Sequence, residues 1–202
     1  MVATQIITRG ISDAKTLEAM RAVPRHLFVS ARFQDTAYDD HPIPIGRGQT
    51  ISQPYIVAFM TEALNLKGGE TVLEVGSGCG YQSAILSLIA AQVFAIEIVE
   101  PLAGEARERL TSLGYSNVEV RAGDGYAGWP EHAPFDAILV AAAAPYVPES
   151  LERQLKDGGR MIVPVGDYVQ DLEIITRRGA TFERRDVLEV QFVPMTGAIR
   201  ED

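Results

Sequence analysis

Three glycines at alternating positions follow a short, mostly apolar segment and form the part of the sequence best suited to binding a small ligand. The segment Thr71–Val75 leads directly into Gly76, Gly78 and Gly80. A loop of this kind lets the backbone approach a ligand closely, because no side chains stand in the way. It is typical of the first turn of a β-α-β unit that binds an adenosine-containing cofactor.

Two acidic residues near this loop indicate the kind of cofactor. Glu97 ends the next predicted strand, where its carboxylate can accept hydrogen bonds from both hydroxyls of a ribose. Glu74 immediately precedes the loop, and an acidic group there suits a cationic ligand and would repel a pyrophosphate. The pattern favours S-adenosylmethionine (AdoMet), which carries an adenosine, an amino-acid tail and a sulfonium but no phosphate. A tight turn with a surface glutamate is the alternative.

A dinucleotide cofactor fits the loop less well. Its fingerprint is G-x-G-x-x-G, and Tyr81 stands where the third glycine would fall. A further contact is predicted at Asp124, between Gly123 and Gly125 after another apolar run. Its carboxylate can accept from an adenine amino group, although a plain turn explains the tripeptide as well.

The elements that must hold these residues alternate between short apolar runs and helical stretches after position 70. This alternation predicts a doubly wound α/β fold with a mostly parallel seven-stranded sheet, an N-terminal helical cap and antiparallel strands at the C-terminal end. We expect a single domain over residues 1–202, with a cap and active-site segment at 1–52 and an α/β core at 53–202. Residues 39–48 are too rich in turn formers to predict regular structure. The predicted strands are Thr71–Val75, Val93–Ile98, Val118–Arg121, Phe135–Val140, Arg160–Val165, Leu172–Arg177, Phe182–Val187 and Glu189–Val193, and the predicted helices run from Asp13 to Ala22, Gln53 to Leu64, Gln82 to Ala90, Glu100 to Leu113 and Pro148 to Leu155.

Composition excludes several classes of function. The 202 residues carry a formal charge of −9, which argues against a general nucleic-acid binder. The single cysteine, Cys79, excludes an intramolecular disulfide, and the three histidines have no metal-ligand spacing, so no metal site is expected.

Nothing in the sequence predicts a membrane protein. The uncharged stretch from Val75 to Ile96 is long enough to span a bilayer, but glycine, serine and glutamine residues interrupt it. It therefore predicts a loop, a helix and a strand of a buried sheet and not a membrane span. The first ten residues lack a basic segment followed by an apolar one. We therefore expect a cytoplasmic protein.

Several further motifs resemble the protein-L-isoaspartate O-methyltransferase family, and the similarity extends over nearly the whole chain. AdoMet-dependent methyltransferases in general share the glycine loop and the acidic residue but not the N-terminal motifs, which makes the latter the specific signal. The resembling segments are Ala19–Val29, Ala37–Tyr38, Pro42–Pro54, Gly123–Gly125, Gly128–Trp129, Pro134–Ile138, Gln154–Leu155, Gly158–Gly159, Pro164–Gly166 and Phe192–Pro194.

The resemblance implies methyl transfer from AdoMet to the free α-carboxyl of L-isoaspartyl residues in damaged proteins and peptides, by an enzyme expected to be monomeric. It implies that Ser52 is the functional residue of the active site, whereas the sequence by itself favours Ser52 as a helix cap. Cys79 and Ala141 depart from the small residue and the threonine expected there. The residues expected at the cofactor are Gln49, Thr50, Ile51, Glu74, Gly76, Ser77, Gly78, Glu97, Ile98, Asp124, Gly125 and Thr196.

Three other functions remain open from the residues. They are an AdoMet-dependent methyltransferase of small molecules, a dinucleotide-dependent oxidoreductase, and an AdoMet-binding interaction module without activity. The motifs around Pro42–Pro54 disfavour the first, and Tyr81 disfavours the second. The presence of Ser52 together with Glu97 and Asp124 disfavours the third.

Overall fold

A computed structural model describes residues 1–200 of the chain. Five α-helices and nine β-strands are connected by loops, short 3-10 helices and a π-helical segment at Val2–Ile6. The strands are β1 (Ile43–Gly46), β2 (Gln49–Ile51), β3 (Thr71–Val75), β4 (Gln92–Glu97), β5 (Val118–Ala122), β6 (Phe135–Val140), β7 (Leu155–Val165), β8 (Gln170–Arg178) and β9 (Thr181–Val190), and the helices are α1 (Ala14–Ala22), α2 (Pro54–Ala63), α3 (Tyr81–Ser87), α4 (Glu100–Ser112) and α5 (Glu149–Gln154).

Seven strands form one sheet in the order β5-β4-β3-β6-β7-β8-β9. Strands β3 to β7 pair in parallel, and β8 and β9 add antiparallel pairs at one edge. The chain leaves β3 toward β4 on one side and later returns to place β6 on the other side. Ligands bind beyond the carboxyl ends of the strands at such a reversal. The predicted fold class is confirmed.

The central strands are buried on both faces, which explains why they were recognisable as continuous apolar runs. Leu73 of β3 and Ile138 of β6 are fully buried and face each other in the sheet register. Helix α1 begins where predicted, because the Asp13 carboxylate accepts from the Thr16 amide at 2.8 Å. The stretch from Val75 to Ile96 folds as predicted into a loop, helix α3 and strand β4.

The prediction that residues 39–48 have no regular structure is wrong, because part of this segment forms the hairpin β1–β2. Ile43 and Ile51 face each other in the hairpin and are both buried, so their apolar contact holds the two strands together. The turn uses Arg47 and Gly48 with φ of 54° and 74°. Pro44 obscured this strand in the sequence, although an edge strand tolerates proline.

The prediction of two separate strands, Phe182–Val187 and Glu189–Val193, is also wrong. A single strand, β9, covers Thr181–Val190. The register passes from the Leu172–Leu188 pair to the Glu173–Asp186 pair, so Val187 is an extra residue in a β-bulge. The bulge interrupts the alternation of side chains at the position where the pattern suggested a break.

No helix among residues 1–200 is both long enough and apolar enough to cross a membrane. Within the same residues, no group of three or more His, Cys, Asp or Glu side chains is arranged to hold a metal ion.

Candidate active site

The glycine loop connects β3 to α3 at the point where the strand order reverses. Gly78 and Gly80 have φ of 52° and 87°, which side chains on L-residues rarely allow. A Cβ at Gly78 would lie 3.1 Å from Cδ1 of Ile45 in the hairpin, so the Ile45 side chain would have to shift. The amides of Gly76 and Ser77 both donate to the Ile96 carbonyl, at 2.8 and 3.1 Å, and tie the loop to β4.

Glu97, the last residue of β4, is buried next to this loop. One oxygen of its carboxylate accepts from the Gly78 amide at 2.8 Å, and the other accepts from the Val99 amide at 2.9 Å. These two bonds fix the orientation of the carboxylate. Each oxygen keeps a lone pair with which it can accept from a ligand hydroxyl.

Glu74 lies in the middle of the sheet and is fully buried. The Ser83 hydroxyl donates to its Oε2 at 2.5 Å, whereas its Oε1 has no hydrogen-bond partner among the described residues. Burial raises the pKa of Glu74 to about 8; the Ser83 bond opposes this shift and the nearby Glu97 carboxylate adds to it.

These groups line a cleft of about 890 Å³, a volume that includes its opening to solvent. Of the residues predicted from the sequence, those that line the cleft are Gln49, Thr50, Ile51, Ser52, Glu74, Gly76, Ser77, Gly78, Glu97, Ile98, Gly125 and Thr196.

Asp124 is the predicted site residue that does not line this cleft. Its Oδ1 accepts from the Tyr126 amide at 2.9 Å and its Oδ2 from the Ala198 amide at 2.7 Å. The second bond joins the end of β5 to the C-terminal segment that carries Thr196. The structure therefore places Asp124 beside the cleft, where it fixes the segment that closes one wall.

Sequence reasoning missed part of the lining. Val57 and Met60 of α2 line the cleft, but their helical spacing marks them only as an apolar face. The stretch Val193–Met195 reaches the cleft because the Ala143 amide donates to the Val193 carbonyl at 2.8 Å and the Met195 amide to the Ala143 carbonyl at 2.7 Å. No local pattern in the sequence signals this pairing. Both departures from the family pattern, Cys79 and Ala141, also belong to the lining.

Ser52 lies between β2 and α2, at the junction of the cleft and a second groove. Helix α2 has Gln53 as its N-cap residue and no side-chain cap hydrogen bond, so Ser52 does not cap the helix. The groove runs between the N-terminal segment and the β7–β8 connection, and its lining was not predicted. It shares Thr50, Ser52, Ala141 and Val193 with the cleft and is further lined by Arg9, Pro42, Gln53, Ile56, Tyr168 and Leu188–Phe192.

The chemistry of the cleft fits AdoMet. Two buried polar atoms of its lining, Oε1 of Glu74 and Oγ of Ser77, have no hydrogen-bond partner among residues 1–200. The lining contains two carboxylates and no lysine, arginine or histidine. Such a site can pair with a sulfonium and an ammonium and can hydrogen-bond a ribose, whereas it offers no cation to a phosphate.

The reversal of strand order, the glycine loop and the acidic cleft together define an AdoMet-dependent methyltransferase. Residues 1–200 match the family model described as protein-L-isoaspartate(D-aspartate) O-methyltransferase (PCMT). The chain belongs to this family.

Individual relatives agree with the family match. Protein-L-isoaspartate O-methyltransferase 2 of Shewanella sediminis is 53% identical over 204 residues, which cover 100% of this chain and 84% of the relative. Protein-L-isoaspartate O-methyltransferase of Methylorubrum populi is 58% identical over 197 residues, or 96% of this chain and 92% of the relative.

Two solved structures share the fold over almost the whole chain. A protein-L-isoaspartate O-methyltransferase superposes with a TM-score of 0.90 at 29% identity, covering 98% of this chain and 67% of the other. A putative family member from Plasmodium falciparum, solved in complex with S-adenosyl-L-homocysteine, superposes with a TM-score of 0.84 at 27% identity, covering 96% of each chain.

Proposed function

We propose that this enzyme transfers a methyl group from AdoMet to the free α-carboxyl of L-isoaspartyl residues in damaged proteins and peptides, which initiates their repair. The observation that carries the proposal is the position of Ser52, which lines both the acidic cleft and the adjoining open groove. A donor in the cleft and a polypeptide in the groove would meet at this residue. Family membership supports the same reaction.

On the donor side, the residues of the cleft have distinct roles in binding AdoMet. Glu97 accepts from the ribose hydroxyls, because its carboxylate is already oriented by two backbone amides. Glu74 faces the cationic part of the ligand with its unpartnered oxygen. Asp124 and Gly125 mark the adenine end. The remaining walls are formed by Gln49, Thr50, Ile51, Gly76, Ser77, Gly78, Ile98 and Thr196.

On the acceptor side, the reaction requires little beyond positioning. When bound, AdoMet supplies a methyl group on a sulfonium leaving group. An α-carboxyl has a pKa of roughly 3.3–3.7, so it is ionised and nucleophilic at neutral pH without a general base. We infer that the Ser52 hydroxyl donates to one carboxylate oxygen and aims the other at the methyl carbon. Positioning of this kind can contribute about 7–11 kcal/mol.

The groove supports a polypeptide as the acceptor rather than a free small molecule. Its lining comes from segments far apart in the chain, from Arg9 to Phe192, and includes the fully exposed side chain of Tyr168. A polypeptide lying across it would contact several of these segments at once. Methylation of a small carboxylic acid is the alternative that the experiment below separates.

The test is methyl transfer from radiolabelled AdoMet to two peptides that differ only in carrying aspartate or L-isoaspartate at one position. We expect base-labile label, the signature of a methyl ester, on the isoaspartyl peptide alone. Equal labelling of both peptides, or labelling of neither alongside efficient methylation of small carboxylic acids, would contradict the proposal.

Two expectations from the sequence, the cytoplasmic location and the monomeric state, stay predictions. Sedimentation equilibrium of the purified protein tests the second, and cell fractionation tests the first.

A further inference from the structure

Glu74 is a buried acid whose surroundings do not stabilise a negative charge. It lies near the carboxyl end of β3, with Ala95 of β4 and Leu139 of β6 as its neighbours in the sheet register. Glu74 lines the donor cleft; the Ser83 hydroxyl donates to its Oε2, and its buried Oε1 has no hydrogen-bond partner among the described residues. An ionised carboxylate with a single donor, shielded from water, is costly.

The titratable groups near Glu74 do not relieve this cost. Glu97 of β4 is itself a carboxylate and raises the pKa of Glu74. Cys79 of the glycine loop and Tyr81 of α3 line the same cleft, and burial raises the pKa of both groups, which keeps them uncharged at neutral pH. Strand β6 contributes no titratable group here, since Leu139 is the residue opposite.

We propose that Glu74 holds a proton in the empty enzyme and releases it when the positively charged methyl donor binds in the cleft. This inference rests on the proposed function only in taking AdoMet as the donor. The O–H bond of the Glu74 carboxyl breaks, the proton passes to solvent, and the remaining carboxylate faces the charge of the ligand. Because Glu74 already lines the cleft, no rearrangement of the sheet is needed.

Proton release gives the enzyme a way to distinguish donor from product. S-Adenosylhomocysteine has the same ammonium group and carboxylate as AdoMet but lacks the sulfonium charge. It therefore favours the ionised form of Glu74 less strongly and releases a smaller fraction of a proton. As pH rises toward 8, the affinity for AdoMet increases by up to about tenfold per unit, and the affinity for the product increases less.

The experiment is calorimetric titration of the enzyme with AdoMet at pH 7 in two buffers whose ionisation enthalpies differ. The difference between the two apparent enthalpies gives the number of protons released. We expect AdoMet to release between about one half and one proton. S-Adenosylhomocysteine should release clearly less, and Glu74→Gln should release close to none with either ligand. Glu108→Gln, an exposed glutamate on α4, is the matched control and should behave as the wild type.

Each alternative outcome has a separate meaning. If AdoMet binds with the same heat in both buffers, the inference is wrong while the proposed function stands. If neither AdoMet nor its product binds, the assignment of the donor itself fails. Should Glu74→Gln not fold, the wild-type comparison of AdoMet with its product still decides, because equal proton release by the two ligands contradicts a response to the sulfonium.

Discussion

The donor cleft and the acceptor groove meet at Ser52, but they are built from different kinds of chain segments. The two carboxylates of the cleft, Glu74 and Glu97, come from the carboxyl ends of β3 and β4, two strands that lie side by side in the sheet. The groove is assembled from Arg9, the hairpin β1–β2, the β7–β8 connection and the chain after β9. Short-range patterns therefore describe the cleft well and the groove poorly.

The two regions also differ in burial and charge. In the cleft, Glu74 and Glu97 are buried carboxylates. In the groove, Arg9 lies over the ring of Tyr55 at 3.3 Å and pairs with Asp40 at 2.7 Å, with both partners in contact with solvent. Changes in the cleft are therefore expected to cost more free energy than changes in the groove, and the following predictions test this order.

The largest effect is expected at Glu97. Glu97→Ala removes the acceptor for the Gly78 and Val99 amides together with the predicted ribose contact. Hydrogen bonds to a charged group contribute about 1.5–3 kcal/mol, so the affinity for S-adenosylhomocysteine should fall roughly tenfold to a hundredfold. Calorimetric titration measures the change, with Glu108→Ala on the exposed face of α4 as control. An unchanged dissociation constant would remove Glu97 from the site.

A steric change tests how tightly the donor side is packed. A Cβ at Gly125 would lie 2.3 Å from Cγ1 of Val75, which is buried at the carboxyl end of β3. Overpacking of this kind costs about 1–3 kcal/mol, which corresponds to a fall in melting temperature of roughly 3–10 °C for a protein of this size.

Gly123→Ala is the matched control for Gly125→Ala. A Cβ there would meet nothing closer than Arg121 Nε at 3.9 Å, so its melting temperature should stay near that of the wild type. Equal melting temperatures for the two variants would show that the residues around Val75 can rearrange to accept the added methyl group, and that the donor side is less tightly packed than expected.

Ser52 belongs to both regions, and its substitution should affect turnover rather than donor binding. If its hydroxyl orients the substrate carboxylate, Ser52→Ala should lower turnover of an isoaspartyl peptide about tenfold, or ~1.4 kcal/mol. The affinity for S-adenosylhomocysteine should stay within about threefold. Because Gln53 is the N-cap residue of α2, the melting temperature should change little.

The opposite result would contradict the proposed role of Ser52. In that case the variant would lose ~1 kcal/mol of stability, as expected for loss of a helix cap, but would turn over normally once saturated with AdoMet. Ser112→Ala, on the exposed end of α4, controls for loss of a surface hydroxyl.

The sequence predicts the parts of the fold whose signals are local. Strands β3 and β6 were predicted with their observed bounds because both are short, continuous apolar runs. The hairpin β1–β2 was missed because its stability comes from the cross-strand contact between Ile43 and Ile51, which no single window of sequence contains. The bulge at Val187 was read as a strand boundary, because an extra residue breaks the alternation just as a turn does.

The same distinction holds for the site. The glycine loop and Glu97 are recognisable from their spacing, since one β-α-β unit carries both. Asp124 is predicted at the adenine, but its bond to the Ala198 amide, a contact between residues far apart in the chain, has no local signal. The groove depends on several such contacts, and Tyr168 in particular has no local signal that marks it as part of a site.

Tyr168 therefore provides the smallest and most discriminating test of the groove. Its side chain is fully exposed at the β7–β8 connection and lines the groove that opens on Ser52. An exposed aromatic ring that packs on a flanking residue of the substrate contributes roughly 0.5–1 kcal/mol, so Tyr168→Ala should raise KM for an isoaspartyl peptide about threefold. Turnover at saturation and affinity for S-adenosylhomocysteine should not change, because the ring lies outside the donor cleft.

Tyr146→Ala is the matched control, because it removes another exposed tyrosine that lines neither the cleft nor the groove, and it should leave KM unaltered. Equal KM values for the two variants would place the substrate elsewhere, and the division of the two ligands between the donor cleft and the acceptor groove would then be wrong.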